Sequence, residues 1–340
     1  MIKKSSSVVK PKKANNFWQT LKRPFFVLAP MLDVTDAAFR AMFAKYGKPD
    51  VFWTEFVSAD GLASRGREKL LPMFQYTEAE RPIVAQIFGA RPENIKIASA
   101  LAAELGFDGV DINMGCPDKA VLKQGAGAAL INNPKLAREI IRAAHEGIAS
   151  VGRDIPVSIK TRVGFNKVEI EEWIPELLKE NISAITIHAR TKKEMSLVPA
   201  RWDLVKRVVE IVREARPDIV VIGNGDVANL AEARARVKET LCDGVMIGRG
   251  AFGQPWLFNE KINTQDLSVS ERLDILLEHT KLFEKKLGQH KNFAVMKKHY
   301  KAYVNGFPGA VDLRVRLMEA KDYEEVETIV RAFQKSNSDY

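Results

Sequence analysis

The 340-residue sequence predicts an α/β fold: a closed (β/α)8 or TIM barrel followed by a small, all-helical C-terminal domain. Three observations predict it. Short apolar runs rich in β-branched and aromatic residues alternate with segments whose apolar residues recur at three- and four-residue steps, the rhythm of repeated β/α units. There are eight such runs, the number needed to close a barrel of this kind. After Phe258 the strand signal stops and only helical periodicity remains.

The predicted strands, in order, are FFVLAP from Phe25, VFWTEF from Val51, IVAQIFG from Ile83, GVDINMG from Gly109, PVSIKTR from Pro156, AITIHAR from Ala184, IVVIGNG from Ile219 and GVMIGRG from Gly244. Helical periodicity fills the gaps over Glu93 to Leu105, Val168 to Lys179, Trp202 to Ala215 and Asn229 to Lys238. The domain reading is a basic extension over 1–23, a barrel over 24–260 and a helical domain over 270–338. The polar stretch NEKINTQDLSVS serves as linker, and NGFPG (Asn305 to Gly309) breaks the last helices.

Composition narrows the function classes. A hydrophobic fraction of 46% supports a globular core, and no apolar run reaches the ~18 residues of a membrane span. The N-terminus lacks the apolar segment of a secretory signal. Cys116 and Cys242 are too few for a disulfide framework and have no metal-ligand spacing, so the expectation is a cytoplasmic protein without a structural metal. The net charge of +9 is unevenly spread: residues 1–23 hold seven Lys/Arg and no acid, and Lys281 to Arg316 holds nine against Glu284 and Asp312. Such blocks suit a polyanion, or form solvated faces.

A barrel of this kind does its chemistry at the C-terminal strand ends, which singles out Met31, Gln86, Asn113, Lys160, His188, Asn224 and Arg249. The last two strands run into IGNGDVAN and IGRGAFGQPW; glycine there lets backbone N–H groups approach an anion, and the loops after strands seven and eight are a common phosphate site. Each loop alone reads equally as a tight turn; together, Gly223 and Gly225 with Asn224, and Gly248 and Gly250 with Arg249, favour a phosphate clamp. In SIKTRVG the alternation of a strand puts Lys160 and Arg162 on one side, either as a structural ion pair or as a charge facing a ligand. His188 ends the sixth strand, with Arg190 two residues on; His145, His279, His290 and His299 have no comparable placement. Cys116 follows the fourth strand between Gly115 and Pro117, placed to act as a nucleophile or as a general acid, whereas Cys242 reads as a small buried hydrophobe.

APMLDVTDAAFR, QIFG, DINMGCPDKAVLKQGAGAAL, IKTRVGF, IHART, GNGD and IGRGA stand in the order and spacing of the tRNA-dihydrouridine synthase family, which the chain resembles over residues 24–258. MKKHYKAYVNGFPGAVDLRVRL is similar to that family's helical RNA-binding domain. The resemblance implies an FMN-dependent oxidoreductase that reduces the C5–C6 bond of selected uridines in tRNA, with NADPH as electron donor. It implies that Pro30, Met31 and Leu32 line the flavin, that Gln86 and Lys160 bond its ring and that His188 lies close to it. Asn224, Gly225, Asp226, Gly248 and Arg249 would hold the phosphate end, and Cys116 would be the proton donor. Asn113, Arg162, Arg190, Lys297, Lys298 and Arg314 are candidate substrate contacts. The chain departs from the family pattern at Glu194 and VPARWD, and in its basic N-terminal extension. The alternatives are an FMN barrel reductase of a small molecule, similar to dihydroorotate dehydrogenase, and an RNA-binding protein built on an inactive barrel; the basic segment from Lys281 to Arg316 argues against the first.

Overall fold

The computed structural model describes residues 16–262 and 266–336. Its sheet has nine parallel strands: β1 (Phe25–Leu28), β2 (Phe52–Trp53), β3 (Val57–Ser58), β4 (Ile83–Phe88), β5 (Gly109–Met114), β6 (Val157–Arg162), β7 (Ala184–His188), β8 (Val220–Asn224) and β9 (Gly244–Ile247). Ladders run in the order β1-β9-β8-β7-β6-β5-β4-β2, and a parallel bridge between Val27 and Val51 closes the ring. The strands are buried on both faces, by lumen side chains within and helices outside, which is why they read as continuous apolar runs.

The second predicted strand is two. Between β2 and β3 the Thr54 hydroxyl donates to the Glu55 carbonyl at 2.8 Å and accepts the Gln86 N–H at 3.1 Å, replacing a ladder bond with a side-chain bond and interrupting the strand over Thr54 to Phe56. Helix bounds shift slightly from expectation: Pro92–Glu104, Ile170–Leu178, Trp202–Ala215 and Leu230–Thr240. Asn229, expected inside the last of these, is its N-cap, accepting the Glu232 N–H at 2.9 Å.

Residues 1–15 lie outside the described part, but residues 16–23 belong to the barrel, which moves the expected boundary at 24. Trp18 is 1% exposed and packs in the lumen cluster with Phe25, Trp53 and Val84. Gln19 donates to the Asp218 carbonyl at 2.7 Å and Arg23 pairs with Asp243 at 2.8 Å, so this segment plugs the end of the barrel from which the strands start. Burying an indole outweighs the polar composition around it.

Helices Val269–Leu287, Ala294–Tyr303, Ala310–Glu319 and Tyr323–Ser336 form the C-terminal domain around their own apolar cluster, which also takes in Ala38, Met42 and Trp256 from the barrel. The first begins at a capping box of Ser268 and Glu271. Gly309, at φ +78°, turns the chain into the third. Lys45 and Tyr46 on the barrel helix Ala37–Tyr46 both bond Glu278, at 2.6 and 2.5 Å. His279 and His299 are buried beside Phe39 in this interface, and burial pushes His279 down to about 3; both are neutral packing residues. Among the described residues no helix is long and apolar enough to cross a membrane.

Candidate active site

A cavity of about 690 Å³ opens at the C-terminal strand ends. Pro30 and Met31 form one wall after β1, the loops after β8 and β9 form another, and Lys160, Arg162 and His188 project from β6 and β7. The strand register explains that grouping: Arg162 pairs with His188, and His188 with Asn224, so three polar side chains share one layer. The two glycine loops touch: a Cβ on Gly250 would lie 2.5 Å from the Val227 carbonyl, and Gly225 takes φ +136°, where other residues are strained.

The charges are arranged in pairs. Lys160 Nζ donates to Asn224 Oδ1 at 3.0 Å, and Asn224 Nδ2 donates to the Met246 carbonyl at 2.9 Å. Burial, with Arg162 nearby, lowers the Lys160 amine to about 8. Asp226, at φ 49°, accepts from Arg190 and, at 2.7 Å, from Arg249. Burial of Asp226 opposes ionisation, but the Ala200 N–H and these two guanidinium groups outweigh it and hold its pKa below the usual carboxylate value. Burial and then Lys160, Arg162, Arg190 and Arg249 hold His188 neutral. Arg190 Nη1 lies 3.3 Å from His188 Nε2; a guanidinium only donates, so Nε2 accepts and the ring proton sits on Nδ1.

Cys116 is half-buried on a braced loop. Asn113 Oδ1 accepts the N–H groups of Gly115 and Cys116 at 3.1 and 2.9 Å. Arg162 Nε donates to the Gly115 carbonyl at 2.7 Å and Nη1 reaches the carbonyls of Thr191 and Met195. Gly127, at φ +60°, allows the chain to pass Cys116 where a Cβ would be 2.8 Å from its carbonyl oxygen. Burial raises the thiol's pKa, only partly offset by a hydrogen bond from the Asp118 backbone N–H and by the charges of Arg162 and Lys160, so the sulfur carries its proton at neutral pH.

Several expected ligand contacts have other partners here. Gln86 is fully buried, donating to Asp111 at 2.6 Å and accepting from Asn113 at 3.1 Å. Ser158 donates to the other Asp111 oxygen at 2.6 Å, completing a chain Ser158–Asp111–Gln86–Asn113 that ends under the Cys116 loop. Asp111, raised to about 6 by burial, escaped the sequence reading; its signal was an acid two residues before Asn113 in a strand, on the same side. Leu32 is half-exposed and does not line the cavity, whereas Met195 and Ser196, not singled out from sequence, do. Their loop is held by Glu194, which accepts the Thr191 N–H and pairs with Arg201 at 2.8 Å. On the helical domain Lys298 is exposed, while Lys297 donates to the Met318 carbonyl at 2.5 Å and Arg314 to that of Val304 at 2.7 Å. Among the described residues no cluster of three or more His, Cys, Asp or Glu side chains is arranged to hold a metal.

Known proteins resemble this chain in fold and in sequence. Two solved structures share the fold: histamine dehydrogenase from Rhizobium sp. 4-9 (TM-score 0.50, 14% identity, 76% of this chain and 48% of that one) and 6-hydroxypseudooxynicotine amine oxidase from Pseudomonas geniculata N1 (TM-score 0.52, 14% identity, 81% and 52%). The chain spans about half the length of each. Among curated proteins it is 39% identical over 327 residues to the probable tRNA-dihydrouridine synthase 2 of Bacillus subtilis, covering 95% of this chain and 98% of that one. It is 37% identical over 322 residues to the probable tRNA-dihydrouridine synthase of Staphylococcus aureus, covering 94% and 96%. The family model described as dihydrouridine synthase matches residues 27–338, barrel and helical domain together, and the chain therefore belongs to the dihydrouridine synthase family.

Proposed function

We propose that this protein reduces the C5–C6 double bond of selected uridines in tRNA, in the cytoplasm, with flavin mononucleotide as cofactor and NADPH as electron source. The observation that carries the reading is the half-buried Cys116, on a loop braced from two strands that runs into Pro117 at the wall of a cavity with a cationic floor and glycine loops at one end.

The residues present fit such a cofactor. About 690 Å³ lies within the usual range for a ligand of this size. Pro30 and Met31 supply an apolar wall for a ring. Lys160 supplies a cation for an anionic ring edge, and Asn224, Gly225, Gly248 and Arg249 supply donors for a phosphate, with Asp226 orienting Arg249. When bound, the flavin supplies hydride for C6 of the uracil and is re-reduced by NADPH.

The chain's own part is proton transfer and positioning. As charge develops toward C5 and O4, the Cys116 S–H bond breaks and a C5–H bond forms, leaving a thiolate that Arg162 and Lys160 stabilise until it regains a proton from solvent. Asn113 and Arg162 aim the thiol through the backbone of its loop, and Gln86 and Asp111 hold Asn113 from beneath. The substrate base leaves its stack to reach the cavity, and Lys298 on the helical domain meets RNA phosphates.

The test is a position-by-position map of dihydrouridine in tRNA from cells lacking the protein and from the same cells re-expressing it. Loss and recovery at defined positions is expected. An unchanged map, in cells with no second synthase for the same sites, sinks the reading in favour of a small-molecule reductase.

A further inference from the structure

The loop after β1 brings Met31 to the cavity wall and then carries Asp33 and Asp36. The break in the second barrel strand adds Glu55, so three carboxylates converge behind this wall, and Asp36 and Glu55 are at most 1% exposed. Glu55 Oε1 accepts the Asp33 N–H at 2.6 Å, fixing a residue at φ 55°, a conformation that non-glycine residues keep only when their surroundings enforce it. Inside the barrel the nearest counter-charge is committed elsewhere: Arg40 pairs with Glu80 at 2.7 Å and gives its remaining bonds to the carbonyls of Thr35 and Gln75. The cation that faces the loop comes from the helical domain. Lys291, just past the helix Val269–Leu287, places Nζ at 2.7 and 2.9 Å from the Glu55 oxygens and 3.2 Å from Asp33 Oδ1. Its own N–H is anchored on the Leu287 carbonyl at 2.8 Å.

We propose that Lys291 is a positioning residue for the β1 loop, through which the helical domain holds one wall of the barrel's cavity in its binding shape. Removing the ammonium leaves Glu55 buried and unpaired beside Asp33 and Asp36, and the soft way to relieve it is displacement of the 31–36 loop. The helical domain is then part of the cavity's construction as well as an RNA-binding module. The flavin arm of the test rests on the function proposed above; the loop itself does not.

The experiment compares full-length wild type, K291M, K291R and K291M/E55Q by hydrogen exchange at the Asp33 amide without added flavin, and by titration with flavin mononucleotide followed by its absorption. K291M is expected to exchange the Asp33 amide at least roughly 10-fold faster and bind flavin roughly 10-fold more weakly, while K291M/E55Q, which removes the stranded charge but keeps the oxygen that accepts the Asp33 N–H, recovers both. K291R, which keeps the charge, stays near wild type and serves should K291M not fold. Unchanged Asp33 exchange in K291M, failure of the double variant to recover, or loss in K291R equal to that in K291M overturns the proposal. A wild type that binds no flavin overturns the reading of the cavity, while the exchange data still decide the role of Lys291.

Discussion

Lys160 on β6 donates through its ammonium to the side-chain oxygen of Asn224 at the end of β8, 3.0 Å away across the intervening strand. The bond ties the cationic floor of the cavity to its glycine-loop end. With burial and Arg162 bringing the amine to about 8, this charge is lost within the experimentally accessible range.

The rate of uridine reduction is therefore expected to fall as pH rises through about 8, because Lys160 is cationic below that value and neutral above it. Lys160→Met should lower the rate on the order of 10²-fold and remove this inflection. A variant that keeps the inflection assigns it to another group.

Cys116→Ala is expected to retain flavin while slowing product formation by roughly 10²-fold or more, the scale for loss of a general acid. Single-turnover formation of dihydrouridine by pre-reduced enzyme checks it, and unchanged turnover removes Cys116 from the mechanism.

The basic residues of the helical domain should divide into two kinds. Lys298→Ala is expected to weaken tRNA binding and reduce the slope of log affinity against log salt by roughly one unit, with little effect on melting. Arg314→Ala, which strips the Val304 carbonyl of its donor, should instead lower the melting temperature. Equal effects of both on binding and melting would contradict this division.

Trp18→Ala should destabilise the barrel by about 3–5 kcal/mol, the cost of emptying an aromatic site in a core. Urea unfolding monitored on the barrel tests it; a loss below about 1 kcal/mol would show a site that collapses without consequence.

Asp36 offers a stability test with a defined sign. Burial, and then Glu55, raise its pKa to about 6, so the folded state favours the protonated acid and its contribution, full below the ordinary carboxylate value near 3.8, is lost as pH rises through 6. Asp36→Asn keeps an oxygen for the Ala38 and Phe39 N–H groups and does not titrate. Its stability relative to wild type should increase by on the order of 1 kcal/mol between pH 4 and pH 7. Parallel stability curves for the two proteins would refute the shift.

Much of the site was legible because strand-end chemistry follows from strand order. Lys160, His188, Asn224, Gly225, Asp226, Gly248 and Arg249 all line the cavity, together with Pro30 and Met31. Arg162 and Arg190 line it too, and Gln86 and Asn113 were legible as polar residues near it, but the partners of these four were not. Whether a buried amide meets a ligand or another side chain depends on neighbouring strands, and here the Gln86 amide donates to Asp111 on the adjacent strand. The Met195–Ser196 stretch was opaque for the opposite reason: it has no periodicity, and its Met195 carbonyl is held by Arg162, 33 residues away on β6.

The sequence by itself determined the barrel's rhythm, the end of the barrel that carries chemistry, the separate helical domain and the family motifs, since each depends on spacing along one chain. Tertiary structure alone decided that Trp18 plugs the barrel, that the second strand breaks at Glu55 and that Lys291 crosses between domains to meet it. The ion pairs at Glu55 and Asp33 join residues 236 and 258 positions apart, and no local pattern encodes which distant cation will neutralise a buried carboxylate. That choice is made by desolvation, which exists only once the chain has closed around the group.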